Sequence, residues 1–171
     1  QYRNIVNELM CSNNYEKVNI IKTYQMYRKD SYDELFDDIK IMKQNRKLLA
    51  TKLVRGAYWN SEYKNQHLFI NKYDTDNNYN NGIKLVNEKN LDYNIIATHN
   101  KKSIQLANKL FENKKKYSIA HLMGMNESYM KTLDSNIQTS MYIPFGPYKD
   151  CIPYLSRRLY ENIDTMKYFF T

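Results

Sequence analysis

Short apolar runs alternate with stripes of apolar residues at helical spacing along the whole chain. The runs predict five β-strands, which cover residues 18–24, 48–55, 93–98, 117–122 and 137–143. Apolar positions three to four residues apart predict helices between them, because that spacing puts side chains on one helix face. These helices cover residues 2–11, 31–42, 76–86, 103–111 and 127–133, and a last one begins after Pro147 and runs to about Met166. Asp30–Ser31 and Thr75–Asp76 are the predicted caps of two of them.

This order of elements predicts an α/β fold. No two strands are close enough in sequence for a hairpin, so we expect them to run parallel with helical crossovers. A closed eight-unit β/α barrel needs about 250 residues, whereas this chain has 171. Length alone favours a complete doubly wound sheet of five strands. The residues at the strand ends favour five units of a barrel instead.

Polar and aromatic residues follow three of the predicted strands directly. The segment Lys52–Trp59 passes from an apolar run to a basic residue, a glycine and two aromatic residues. A cation beside a glycine at a strand exit can bring backbone N–H groups and positive charge close to an anionic cofactor. Residues 94–100 and 140–146 repeat the change from apolar to polar positions. Chemistry at the carboxyl ends of several strands is typical of β/α barrels.

The net charge of +8 suggests a nucleic-acid ligand at first sight. Lys, Asn, Ile and Tyr are all abundant and all have AT-rich codons, so a skewed base composition accounts for the basicity. The lysines are scattered over predicted helix faces apart from Lys114–Lys116, which we predict to be a solvated turn. We therefore expect no nucleic-acid partner.

The sequence also bears on metal binding, membrane spanning and the N-terminus. Cys11 and Cys151 have no metal-ligand spacing and the three histidines have no carboxylate partner pattern, so we expect no metal site. No apolar run is long enough to cross a bilayer. Because the chain opens on Gln1 without a leader, we expect the N-terminus of the natural protein and any targeting peptide to lie upstream.

Six motifs occur in order along the chain: KLVRGAYW (52–59), TDNNY (75–79), IATHN (96–100), HLMGM (121–125), YIPFGP (142–147) and YLSRRLYEN (154–162). Together they resemble the FAD-dependent proline dehydrogenase (proline oxidase) family, and residues 22–35 are similar to its eukaryotic branch. The resemblance implies a distorted TIM-like β/α barrel with FAD over the carboxyl ends of its strands. It also implies that residues 1–171 are the C-terminal five units of a single catalytic barrel.

The resemblance implies oxidation of L-proline to Δ1-pyrroline-5-carboxylate, the first step of proline catabolism. A hydride passes from proline to FAD, and the electrons then pass to a quinone. The eukaryotic branch implies a mitochondrial protein on the matrix side of the inner membrane, in peripheral contact with it. Three alternatives stay open: a flavin oxidoreductase for hydroxyproline, a basic module that binds nucleic acid or phosphate, and an inactive, degenerate barrel.

The resemblance also implies the site residues. The catalytic residues are Lys52, Tyr58 and Tyr142, and Lys52 would place positive charge beside the flavin ring. The cofactor contacts are Lys52, Val54, Gly56, Trp59, Lys72, Thr75, Thr98, His99, Asn100 and Glu161. The substrate-binding residues are Arg157, Arg158, Tyr154 and Leu122. A planar guanidinium suits a proline carboxylate because it donates two parallel hydrogen bonds.

Two positions depart from the family pattern. Lys22 stands where relatives often have Gln or Asn near the flavin, so Gln25 cannot simply take over that role. His121 stands where relatives often have Gln or Cys. Either difference could alter the flavin potential or the access of the quinone. An unclosed barrel also exposes two strand edges, which predicts poor solubility of these residues in isolation.

Overall fold

The computed structural model describes residues 2–56, 67–123, 127–143 and 145–161. The chain divides into two compact units, Gln1–Met141 and Tyr142–Thr171. Five strands, β1 (Ile21–Gln25), β2 (Ala50–Val54), β3 (Tyr93–Ala97), β4 (Tyr117–Leu122) and β5 (Gln138–Tyr142), form one sheet in that order. The helices are α1 (Tyr2–Asn13), α2 (Ser31–Gln44), α3 (Lys72–Glu88), α4 (Lys101–Leu110), α5 (Glu127–Met130) and α6 (Tyr148–Glu161), and a 3-10 turn covers Lys114–Lys116.

The sheet has the predicted parallel arrangement. Strands β1 to β4 pair in parallel with their neighbours, and α2, α3 and α4 connect them in turn. All five predicted strands are present, and the largest difference is that β1 starts at Ile21 rather than at residue 18. The prediction of an α/β fold with parallel strands and helical crossovers is confirmed.

One row of side chains across the sheet carries the core. Tyr24, Leu53, Ile96 and Ile119 are in register on four neighbouring strands and are at most 1% exposed. The helices cover this side of the sheet with the buried residues Leu35, Ile39, Met42, Ile83, Val86, Ile104 and Ala107. Because side chains alternate along a strand, the positions before and after each core residue lie on the other side of the sheet.

The two predicted helix caps have different outcomes. Helix α3 begins at Lys72, and its cap is Asn71, whose side chain accepts a hydrogen bond from the N–H of Asp74. The prediction that Thr75 and Asp76 cap this helix is therefore wrong. Asp30 does occupy the cap position of α2, but its side chain makes no capping hydrogen bond. A fork of two hydrogen bonds from Arg28, 2.9 and 3.0 Å long, holds that carboxylate instead.

A buried asparagine joins α1 to the first two strands. Asn14 is 0% exposed. Its Oδ1 accepts from the N–H groups of Asn19 and Ile20, and its Nδ2 donates to the carbonyl of Ile20 at 2.8 Å. The carbonyl of Asn14 also accepts from the N–H of Leu48, just before β2. One side chain and its peptide group thus fix where β1 and β2 begin.

The lysine triplet belongs to the end of α4. The Nζ of Lys114 donates to the carbonyls of Asn108 and Phe111 at 2.5 and 2.9 Å, and the Nζ of Lys116 donates to Asn90 Oδ1 at 2.6 Å. A cation at a helix C-terminus satisfies carbonyls that lack intrahelical partners. Two of the three ammonium groups therefore donate hydrogen bonds to other residues of the protein. The triplet was expected to be a solvated turn, whereas the observed turn satisfies carbonyl groups at the end of α4.

Across the described helices, none is long and apolar enough to cross a membrane. Cys11 and Cys151 are both free thiols of intermediate exposure.

Candidate active site at the carboxyl end of the sheet

Lys52 lies on the side of the sheet opposite to the helices. In register it stands between Thr23 of β1 and Ile95 of β3, and all three are at least partly exposed. We call this side, with Thr23, Gln25, Lys52, Val54, Ile95 and Ala97, the open face. Strand alternation places Val54 on it together with Lys52. The structure therefore brings two of the implied cofactor contacts to one face.

Lys22 lies on the helix side of the sheet, opposite to the open face. It is in register with the buried Thr51 and is 7% exposed. Its Nζ lies 2.5 Å from Asp38 Oδ2 and 2.9 Å from Glu34 Oε1, and it donates to Asn7 Oδ1 at 3.1 Å. The physical reason is strand alternation, which turns Lys22 away from the face that bears Lys52.

Gln25 occupies the open face at the carboxyl end of β1. It is in register with Val54. Its Oε1 is buried and accepts no hydrogen bond from the described residues. A buried carbonyl oxygen without a donor is costly, and such groups often mark a place that a ligand completes. Gln25 thus fits a donor from a bound cofactor, a role that the sequence pattern did not assign to it.

An open pocket of about 160 Å³ lies just beyond β2. It is lined by Tyr27, Arg55, Gly56, Asn71, Lys72, Thr75 and Asp76. Three implied cofactor contacts, Gly56, Lys72 and Thr75, therefore line one cavity. The first turn of α3 forms one wall, and the N-terminus of a helix favours an anion through its free N–H groups and its dipole. These residues fit the phosphate end of a dinucleotide cofactor.

Gly56 has a backbone conformation that only glycine adopts easily. Its φ is +150°, and a Cβ built on it would overlap the ring of Tyr27. The two segments are also bonded through the backbone, because the N–H of Tyr27 donates to the carbonyl of Arg55 at 2.6 Å. The missing side chain lets the chain pass close to Tyr27 at the edge of the pocket.

Arg55 holds two neighbouring β/α units together, β2 with α3 and β3 with α4. Its Nε donates to Asp76 Oδ1 and one terminal nitrogen donates to Ser103 Oγ, each at 2.7 Å, and the other terminal nitrogen donates to Thr98 Oγ1. The guanidinium carbon lies 4.2 Å from the centre of the Tyr79 ring. Asp76 also binds the Nζ of Lys72 at 2.7 Å. Arg55 is absent from the implied site residues. Its position beside Gly56 at the end of a strand, in a chain that has far more lysine than arginine, could have indicated its importance.

Thr98 and Asn100 use their polar groups within the fold. Thr98 Oγ1 accepts from Arg55 and from the N–H of Asn100, and the N–H of Thr98 donates to the carbonyl of Ala120. Asn100 caps α4, because its Oδ1 accepts from the N–H of Ser103 at 3.2 Å. Both residues were implied as cofactor contacts. The observed bonds give their side chains a role in shaping the turn that carries His99.

His99 is held neutral at the carboxyl end of β3. Its Nε2 accepts from the N–H of Leu122 at 2.9 Å. Burial, together with smaller effects of the nearby His121 and the Arg55 cation, lowers the pKa of His99 to about 4. A neutral imidazole that accepts at Nε2 carries its proton on Nδ1. His99 can therefore donate a hydrogen bond from Nδ1 at neutral pH, but it cannot act as a base through Nε2.

His121 lies on β4, its side chain faces the helix side of the sheet, and it is 7% exposed. Both of its ring nitrogens are buried and have no hydrogen-bond partner among the described residues. Taken over the described ranges, the histidine, cysteine and acidic residues form no group of three that could hold a metal.

The structure describes only some of the residues that the resemblance implies as substrate contacts. Leu122 ends β4 and binds His99 through its backbone. Tyr142 ends β5, is 56% exposed and belongs to the second unit. Tyr154, Arg157, Arg158 and Glu161 lie on α6, but their side chains are outside the described part of the structure. Tyr58 and Trp59 also lie outside the described residues.

Comparison with known proteins identifies the family. The family model described as proline dehydrogenase matches residues 2–169. The chain belongs to the proline dehydrogenase family.

Several curated relatives carry the same name. Mitochondrial proline dehydrogenase 1 of Dictyostelium discoideum is 33% identical over 177 residues, which cover 87% of this chain and 30% of the relative. Mitochondrial proline dehydrogenase 1 of Homo sapiens is 29% identical over 94% of this chain and 30% of the relative. The chain thus spans about a third of the length of these proline dehydrogenases.

Solved structures show the same fold. Proline utilization A from Bdellovibrio bacteriovorus, in a crystal structure of the enzyme inactivated by N-propargylglycine, has a TM-score of 0.83 and 26% identity over 95% of this chain and 19% of that one. Proline utilization A from Bradyrhizobium japonicum has a TM-score of 0.83 at 23% identity, over 94% of this chain and 18% of that one. The five strands therefore correspond to part of a TIM-like β/α barrel, as the strand-end residues predicted.

Proposed function

We propose that this chain is the C-terminal catalytic part of an FAD-dependent proline dehydrogenase that oxidises L-proline to Δ1-pyrroline-5-carboxylate. The observation that carries the proposal is the arrangement at the carboxyl edge of the sheet. Lys52, Val54 and Gln25 share the open face, and the pocket lined by Gly56, Lys72 and Thr75 opens two residues beyond Val54. Membership of the proline dehydrogenase family supports the same activity.

FAD, when bound, would supply the chemistry by taking up a hydride from proline and passing the electrons to a quinone. The residues of the open face would receive its ring: Lys52 offers positive charge, and the buried Oε1 of Gln25 offers an acceptor. Gly56, Lys72 and Thr75 would receive its phosphate end beside the first turn of α3.

The remaining contacts follow from the family motifs. The turn with Thr98, His99 and Asn100 would lie against the cofactor, with His99 as a neutral donor. Trp59 and Glu161 would complete the cofactor contacts. Arg157 and Arg158 would bind the proline carboxylate, because guanidinium groups donate in the paired geometry that a carboxylate accepts. Tyr58, Tyr142, Tyr154 and Leu122 would enclose the apolar part of the proline ring.

The cellular setting is part of the same proposal. The relatives named above are mitochondrial proteins, and we place this chain in mitochondria on the matrix side of the inner membrane. A quinone in that membrane would be its electron acceptor, reached by peripheral association. Residues 1–171 would form the last five β/α units of one barrel, which matches a sheet whose one side is covered by helices and whose other side bears Lys52.

The test is the visible spectrum of the full natural polypeptide that contains this chain, recorded without oxygen before and after L-proline is added. We expect a bound-flavin spectrum that bleaches with proline. Arg157→Met should abolish bleaching and leave the flavin bound, whereas Arg28→Met, which removes a half-exposed arginine paired with Asp30, should bleach normally. Bleaching by hydroxyproline but not proline would change the substrate. A folded, colourless protein would overturn the proposal.

A further inference from the structure

Arg55 is an unusual cation for a pocket that would receive an anion. Three of its five N–H groups are already committed, to Asp76, Thr98 and Ser103. The aromatic ring of Tyr79 covers one face of the guanidinium plane at 4.2 Å. The Asp76 carboxylate, 2.7 Å from Nε, already balances the positive charge that an anionic ligand would use. Lys72 is the better-placed cation for a ligand, because its side chain is 80% exposed at the mouth of the same pocket.

Two of the three hydrogen-bond partners of Arg55, Thr98 and Ser103, lie at the two ends of one turn. Thr98 opens the turn, and its Oγ1 accepts from Arg55 and from the N–H of Asn100 at 3.1 Å. Ser103 closes it: its Oγ accepts from Arg55 and donates to Asn80 Oδ1 at 2.7 Å. The N–H of Ser103 also returns to Asn100 Oδ1. One rigid fork therefore clamps the turn from both sides.

We propose that Arg55 is a positioning residue: its guanidinium sets the turn from Thr98 to Ser103, and through it the ring of His99, instead of binding an anionic ligand. The importance of His99 for the reaction rests on the proposed function, whereas the clamp itself does not. The turn presents His99 so that Nε2 meets the N–H of Leu122 at 2.9 Å, which keeps the proton on Nδ1. The Arg55 cation also opposes protonation of His99.

Lysine cannot replace this arrangement. An ammonium group is a single point with three rotatable donors, whereas the planar fork of arginine reaches three acceptors on three elements at fixed angles. Arg55→Lys therefore keeps the charge and removes the clamp. Arg55→Gln removes both.

The first measurement is independent of activity. In the full natural polypeptide labelled with ¹⁵N-histidine, NMR reports the tautomer and the pKa of each ring, and His99→Gln identifies the His99 signals. We expect a single Nδ1–H form in the unsubstituted protein and a mixture of tautomers in Arg55→Lys. Arg55→Gln should in addition raise the pKa of His99 from about 4. His99 signals unchanged in both variants would overturn the inference.

The second measurement is a double-mutant cycle on the rate of flavin bleaching by proline. Arg55→Lys and Thr98→Val should each slow bleaching about 100-fold, a typical cost of misplacing a group by about 1 Å. Because both act through the same turn, the double variant should be no slower than either single variant. A multiplicative loss of about 10⁴-fold would show independent roles and would contradict the clamp.

Cofactor affinity separates positioning from ligand binding. Arg55→Lys should retain FAD with an affinity within about threefold of the unsubstituted protein, since charge is kept and no contact to the ligand is lost. A loss of more than about tenfold, that is about 1.4 kcal/mol, together with unchanged His99 signals would make Arg55 an anion ligand.

Arg28→Lys is the matched control, because Arg28 also makes a forked pair, with the exposed Asp30. An equal effect in this control would also overturn the inference. If proline bleaches no flavin at all, the proposed function fails, and the NMR comparison still decides the role of Arg55.

Discussion

Lys22 and Lys52 lie on neighbouring parallel strands and face opposite sides of the sheet. Lys22 is in register with Thr51, so Lys52 is one residue further along and alternates to the open face. Lys22 is 7% exposed and binds Asp38, which is fully buried. The same residue type therefore stabilises the fold on β1 and serves the proposed chemistry on β2.

Replacing Lys22 should destabilise the protein. Lys22→Met leaves the buried Asp38 carboxylate without its nearest cation, and breaking a buried pair in this way costs about 3 kcal/mol. Urea unfolding of the full polypeptide measures the loss. Lys40→Met is the control, because Lys40 is 58% exposed and lies 3.9 Å from Asp37, and it should change the stability by less than about 0.5 kcal/mol. Equal effects in the two variants would contradict a buried ion pair.

Replacing Lys52 should affect the reaction and spare the fold. Lys52→Met removes a half-buried cation from the open face, and we expect proline to bleach the flavin about 100-fold more slowly. Stopped-flow absorbance measures this rate. Lys84→Met, an exposed position on α3, should react at the rate of the unsubstituted protein. A Lys52→Met rate within about twofold of normal would remove Lys52 from the catalytic residues.

Gly56→Ala should be strongly destabilising. A φ of +150° strains any side chain, and the new Cβ would overlap the Tyr27 ring. We expect a loss of at least about 2 kcal/mol in chemical unfolding. Gly82→Ala provides the control: Gly82 lies within α3, and its new Cβ would crowd the flexible Cε of Met26 at 2.8 Å and make an ordinary contact with Leu53 Cδ1 at 3.5 Å. It should be close to neutral, since alanine favours the helix. Comparable losses at both glycines would show that the Tyr27 contact is unimportant.

The lowered pKa of His99 predicts that the stability of the protein depends on pH. Its pKa is lowered from 6.5 to about 4 in the folded state, so between these values the unfolded chain binds the extra proton. Stability should therefore be fully present above about pH 6.5 and fall as the pH drops toward about 4. Thermal melting from pH 4 to 7 should show a shallower fall for His99→Gln than for the unsubstituted protein. Identical slopes would place the titration on another group.

The sheet was predictable from the sequence, and the side of the sheet for each charged residue was not. Strand positions follow from apolar runs, and β4 matches its predicted range, residues 117–122. The face of Lys22 depends on register and on the acidic partners Glu34 and Asp38, which lie more than ten residues away in sequence. A pattern read along one strand cannot supply that information.

Helix starts and the site differ from expectation for a related reason. Asn71 competes with Thr75 and Asp76 for the cap of α3, and Asp76 is drawn instead into ion pairs with Arg55 and Lys72. Arg55 meets Thr98 and Ser103 across 43 and 48 residues of sequence. Such long-range contacts leave no local signature, so motifs located the site and the tertiary structure defined the partners within it.

Asn14 determines where the first loop can vary in length. Asn14 holds the start of β1 through Asn19 and Ile20 and the approach to β2 through Leu48. Residues 15–17 between these anchors are exposed. Insertions or deletions there can alter the length of the loop without moving either strand, whereas a change at Asn14 itself would shift the strand that carries Gln25. In proline dehydrogenases that keep this asparagine, length variation is expected to collect inside the loop it closes.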